Sequence, residues 1–176
     1  MTDFKNRIIR AARLDATLYE EVEADTGAMG QAVGVVVLSS IAAGIGSIGR
    51  IGIVGILTFM VVSLIGWFIW AWLTYVIGTK FLPEPETKSN VGELLRTIGF
   101  SSSPGLIRIL GVIPGLATII YWSSEIWMFL AMVIAVRAAL DYKSTPRAVV
   151  VCLIGWVIQM AIIMLFFMVF RWSPRI

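Results

Sequence analysis

Histidine is absent from this chain of 176 residues, and cysteine occurs once, as Cys152 within an apolar run. A lone thiol forms no intramolecular disulfide. Without histidine, a zinc site loses its usual ligands and an enzyme its commonest general base. Charge is also scarce, with Asp, Glu, Lys and Arg together at 14% of residues. The net charge of +3 does not point to nucleic acid, because the basic residues flank apolar segments and form no cluster of their own. A secretory signal is not expected either, since Glu20, Glu21, Glu23 and Asp25 separate the basic opening from the first apolar run.

What the chain has in abundance is apolar side chains, at 59% of residues against roughly 45–50% in soluble domains. They are grouped in runs long enough to cross a bilayer. The expected fold is all-α: a polytopic membrane helix bundle of five transmembrane segments, the third short, polar and Pro-broken, behind short interfacial N-terminal helices. Residues 1–26 read as a cytoplasmic amphipathic segment and residues 27–176 as a single transmembrane domain.

Thr2 or Asp3 is positioned to cap a first helix in which Phe4, Ile8 and Ala11 share a face, with Lys5, Arg7, Arg10 and Arg13 to its sides. Asp15 is positioned to cap a second, with Leu18 and Val22 in line. Gly27 to Ile48 carries no charge, and its pairs Gly30 and Gly34, then Ala42 and Gly46, place small residues four apart for close helix packing. Arg50 ends that run. Ile51 to Gly78 is a second uncharged run, and Trp67, Trp70, Trp72 and Tyr75 in its second half read as an aromatic belt at a membrane surface.

A Pro-, Glu- and Ser-rich connection follows, whose Glu84 and Glu86 read as solvated. Asn90 and Glu93 have capping-box spacing, and Pro104 should break the helix they start. Pro114 and Gly115 make a tight return into Leu116 to Val136, and Ser144 or Thr145 with Pro146 opens the last span. With the N-terminus inside, five spans place ten basic residues on the cytoplasmic side, against Arg50, Arg171 and Arg175 outside. A re-entrant Val91 to Val112 instead gives four spans with Arg50, Arg137, Lys143 and Arg147 outside, ten against four.

The chemistry-bearing residues are few. Glu125 lies near the middle of its span, where a carboxylate must be paired, neutralised or wetted. Arg108, across the Pro114-Gly115 return, is its expected partner. Ser101, Ser102, Ser103, Arg108, Glu125 and Gln159 together form a candidate midplane polar cluster. That cluster reads either as a solute cavity on a discontinuous helix or as an ion pair and hydrogen-bond network that fixes helix register. No pattern supports catalysis, a metal or a cofactor, so no enzyme is expected.

The stretch Gly99-Phe100-Ser101 followed by Pro104, between a polar loop and a Pro-Gly return, resembles the Gly-Tyr-Ser…Pro motif in the third span of the Yip1 family. The order of elements is similar too, and the stretches Leu14 to Gln31 and Leu94 to Gly105 look like prokaryotic members. The chain lacks the Asp-Leu-Tyr-Gly-Pro motif of eukaryotic relatives, so their GTPase partners are not carried over. The resemblance implies a non-catalytic membrane-organising scaffold or accessory subunit in a prokaryotic cytoplasmic membrane. Its partners would be the lipid bilayer and other membrane proteins or further copies of itself. The competing expectation is a channel or carrier for protons or a small solute, built around Glu125.

Overall fold

A computed structural model describes the backbone of residues 4–171, and within it the side chains of all but 48–54, 59, 163, 166–167 and 169–171. The caps expected of Thr2 or Asp3, and the flank marked by Arg175, lie outside the described residues, as do the side chains of Arg50 and Arg171. Seven α-helices follow in order: α1 Phe4–Ala12, α2 Ala16–Ala24, α3 Met29–Gly46, α4 Ile48–Val76, α5 Val91–Ser101, α6 Ala117–Ala139 and α7 Thr145–Arg171. Asp15 caps α2 by accepting from the Thr17 backbone N–H, and Asn90 and Glu93 close a reciprocal capping box on α5.

Four helical stretches are long and apolar enough to cross a membrane: Thr26–Gly46, Gly55–Phe81, Ala117–Ala139 and Thr145–Ile162. The expected third span, Val91 to Val112, is not among them. It is divided into α5 and a 3-10 segment, Ser103–Val112, and neither half is long enough by itself. Large apolar side chains face outward on α4 (Val61, Val62, Ile65, Phe68), on α6 (Ile119, Trp122, Ile126) and on α7 (Val157, Met164, Leu165). Water would not tolerate a surface so continuously apolar, whereas lipid tails would. This is the surface of a membrane protein.

The interior is two apolar cores joined through α5. Leu94 and Ile98 point into one, with Trp70, Val136, Leu140 and Val151 from α4, α6, the turn after it and α7. Phe100 points into the other, with Leu18, Tyr19, Val35 and Ala135 from α2, α3 and α6. Helix α5 is therefore enclosed on all sides.

Its short distance from α3 depends on small residues. A Cβ at Gly99 would stand 2.8 Å from the Ala32 Cβ, and one at Gly105 would strike the Ser39 hydroxyl and stand 2.8 Å from the Met128 sulfur. A Cβ at Gly46 would strike the Arg108 carbonyl, with Gly111 packed against the same turn. Of the predicted packing residues, Gly46 meets the 3-10 segment, Gly34 meets Phe4 at 3.3 Å and Ala42 is buried. Gly30, in contrast, is exposed with nothing within 4 Å. On α3 the close approach to α5 and the 3-10 segment falls on Ala32, Ser39 and Gly46, whereas Gly30 takes no part in it.

The N-terminal helices do not stand apart from the bundle. They form a hairpin docked on α3, α5 and α6. Arg7, expected at the side of α1, is 4% exposed and lies inside a charge network. It donates to Glu21 at 2.9 Å, Asp25 at 2.8 Å and the Gln31 side chain at 3.0 Å, while Arg10 binds Asp15 at 2.8 Å and Glu21 at 2.6 Å. Arg96 reaches from α5 to the Val22 and Glu23 carbonyls, satisfying acceptors that the end of α2 leaves open. The expected aromatic belt is also partly internal. Trp70 is buried and Trp67 donates to the Leu95 carbonyl, whereas Trp72 faces outward. Nor are the loop glutamates merely solvated, since Glu84 accepts from the Lys143 backbone N–H at 2.8 Å and Glu86 pairs with the Lys143 ammonium at 2.6 Å.

Two predictions follow from this packing. Gly99→Ala pushes α5 off Ala32 and should cost about 1–3 kcal/mol, read as a lower melting temperature in detergent, while Gly30→Ala leaves it unchanged; equal effects would contradict the seam. The second concerns Glu23, whose carboxyl is pushed up to about 7 by burial and by Asp141, Glu93 and Glu20 nearby. Between the ordinary 4.5 and about 7, the folded chain holds a proton that the unfolded chain has released, so stability falls as pH rises through that window. Asp15, Glu21 and Asp25 are held low, Asp15 and Glu21 chiefly by Arg10 and Asp25 by Arg7, and remain ionised across it. Melting should therefore occur at a higher temperature at pH 5 than at pH 8, and Glu23→Gln should flatten the difference.

Candidate functional site

The site begins with a missing donor. Pro104 has no backbone N–H, so the Phe100 carbonyl four residues earlier loses its helical partner inside the core. The Ser103 hydroxyl donates to that carbonyl at 2.7 Å, and the Ser101 hydroxyl donates to the Ile98 carbonyl at 2.8 Å. The backbone tightens into the 3-10 segment, with Gly105 N–H bonded to the Ser102 carbonyl at 3.0 Å. Two of the three candidate serines are thus committed to the backbone of their own break.

A 3-10 helix rises about 2 Å per residue, against about 1.5 Å for an α-helix. The segment therefore carries Arg108 further along the bundle than an unbroken helix would. The Arg108 carbonyl lies against Gly46, in the last turn of α3, while its side chain meets Ser124, Glu125 and Met128 in the N-terminal half and at the middle of α6. The return is made by Ile113 in extended conformation before Pro114, then by Gly115 at φ +85°, a backbone setting that suits only glycine well.

Arg108 reaches into the first turns of α6. Its Nε donates to the Ser124 hydroxyl at 2.9 Å, and Nη2 contacts the Met128 sulfur at 3.2 Å and forms an ion pair with Glu125. The Ser124 hydroxyl in turn donates to the Tyr121 carbonyl at 2.7 Å, which fixes its orientation. The guanidinium carbon lies 5.9 Å from the Tyr121 ring centre, within cation–π range, and Tyr121 meets Trp122 edge-to-face at 5.5 Å. The Arg108 side chain is 14% exposed and the Glu125 side chain 41%. Both line a cavity of about 470 Å³ whose other walls include Gly46 and Ser47 from the end of α3, and Thr118, Tyr121 and Trp122 from the start of α6.

Gln159 is not part of this constellation. It lies between α4 and α7, with its Nε2 3.8 Å from where a Cβ of Gly66 would stand. Its Oε1, like Trp70 Nε1 and Thr74 Oγ1, is buried without a hydrogen-bond partner. Tyr121 and Met128 share the Glu125 face by helical spacing, as the sequence reads, whereas Ser124 and Trp122 are the members that sequence reading missed. Trp122 stands three residues before Glu125, a spacing that brings two side chains together on a helix, while Ser124, one residue before it, had no such signal. Among the described residues no group of acidic, cysteine or histidine side chains is spaced to hold a metal ion.

The chain matches no family model, no curated protein and no solved structure.

The hydroxyl that replaces the proline's missing donor can be tested directly. Ser103→Ala leaves the Phe100 carbonyl only the Ser102 backbone N–H, which it shares with Gly99, and should cost about 1 kcal/mol, seen as a lower melting temperature. Ser102→Ala should lie within about 0.5 kcal/mol of wild type. The reverse order would show that Ser103 is dispensable to the break.

Proposed function

We propose that this chain is a non-catalytic, multi-spanning membrane protein of the Yip1 type, a membrane-organising scaffold or accessory subunit for other membrane proteins or further copies of itself. One observation carries the reading. Two serine hydroxyls of the broken helix are spent on its own backbone, Ser103 on Phe100 and Ser101 on Ile98, and so brace the fold instead of facing a solute. The Gly99-Phe100-Ser101…Pro104 pattern lies at that break. In this reading Val91 to Val112 crosses as a fifth segment, since about 16 Å of α-helix and about 20 Å of 3-10 helix together exceed a core of about 30 Å. The N-terminus is cytoplasmic and the membrane is the prokaryotic cytoplasmic membrane.

A carrier or channel is the second reading, favoured by the cavity beside the partly exposed Glu125. The two separate by experiment. Crosslinking in native membranes, followed by mass spectrometry of the products, should give stable adducts with other membrane proteins or with a second copy. A chain that remains uncrosslinked and monomeric would end the scaffold reading. A proton or solute flux in proteoliposomes that drops with Glu125→Gln would favour the carrier.

A further inference from the structure

The ion pair is joined by one arm only. Glu125 accepts from Arg108 through Oε1, and among the described residues Oε2 receives no donor. Arg108 spends Nε on Ser124 and Nη2 on Glu125 and Met128, and among the described residues its Nη1 has no acceptor. A guanidinium facing a carboxylate usually closes a two-bond fork. Here two N–H donors of one sign and one carboxylate oxygen of the other remain, on a pair that lines a cavity of about 470 Å³.

Such a site selects by charge. A purely anionic or purely cationic ligand would pair with one partner and strip water from the other without compensation, whereas a ligand carrying both charges a few bonds apart satisfies both. The Tyr121 and Trp122 rings in the wall add faces that attract an ammonium group. The cavity opens beside exposed apolar side chains: Ile119, Trp122 and Ile126 on α6, and Ile109 and Ile113 on the arm. Its outer walls are Gly46 and Ser47 at the end of α3 and Thr118 at the start of α6, two helices long enough to cross. A headgroup therefore enters from the end of those helices and reaches inward to Arg108 and Glu125.

We propose that this cavity binds the headgroup of a zwitterionic aminophospholipid, with the phosphate on Arg108 Nη1, the ammonium on Glu125 Oε2 and the Trp122 and Tyr121 rings, and the acyl chains along the apolar flank of α6. The inference is independent of the scaffold reading, because a chain without protein partners would still bind the lipid.

The test uses the full chain in nonionic detergent and titrates dioctanoyl phosphatidylethanolamine, dioctanoyl phosphatidylglycerol, dioctanoylglycerol and chain-free glycerophosphoethanolamine, followed by native mass spectrometry. Phosphatidylethanolamine should bind about tenfold more tightly than each of the others. Glu125→Gln should bring it down to the level of phosphatidylglycerol. Trp122→Leu, which leaves the ion pair intact, should weaken it several-fold and serves as the decisive variant if Glu125→Gln fails to fold. Equal binding of the three lipids, a preference for phosphatidylglycerol, or a preference unchanged in both variants overturns the proposal. Equal binding of glycerophosphoethanolamine overturns its lipid part.

Discussion

A carbonyl that loses its donor inside a helix bundle has no water to turn to, and the rest of this structure depends on how the Phe100 carbonyl is satisfied. Pro104 removes the N–H that a continuing α-helix would supply, and the Ser103 hydroxyl replaces it from one residue away. Without that replacement, the break would leave that acceptor only a Ser102 backbone N–H shared with Gly99, beside Leu18, Val35 and Ala135. With it, the chain changes from α to 3-10 winding and continues in the same general direction.

That change of winding has a steric counterpart. An arm that passes so close to α3 needs positions without side chains, and Gly99, Gly105 and Gly111 supply them opposite Ala32, Ser39 and Gly46. Close approach brings many weak contacts into range where no hydrophobic effect between helices operates. Because α5 is enclosed by both cores, the N-terminal hairpin and the long helices are fixed to each other through it. Arg96, extending from α5 to the end of α2, gives that connection a charged hydrogen bond at a place where α2 would otherwise expose open carbonyls.

The site inherits its position from the same break. The first six residues of the 3-10 segment carry the Arg108 backbone to the end of α3, and its side chain reaches Glu125 in the N-terminal half of α6, where the carboxylate is partly exposed and the cavity opens. Pairing offsets the cost of a charge within a span. The unused donors and acceptor make the pair available to a ligand. Gln159 lies against Gly66 of α4 and outside the cavity walls, so the polar residues divide into two separate places.

Sequence alone determined what local rules govern. Apolar runs of membrane length, the Asn90-Glu93 cap, the proline break, the Pro-Gly return and the complementary charges of Arg108 and Glu125 are all set by residues close in sequence or by the cost of isolated charge. Tertiary structure decided which of several equivalent faces each helix presents, because helical periodicity allows many partners and packing selects one. That is why Arg7 and Trp70 are internal, why Ala32 and Ser39 rather than Gly30 meet the arm, and why Gln159 is separated from the cluster. The winding after Pro104 was likewise beyond the sequence, since residue counting assumes α-helical rise and only the folded chain reveals the tighter, longer turn.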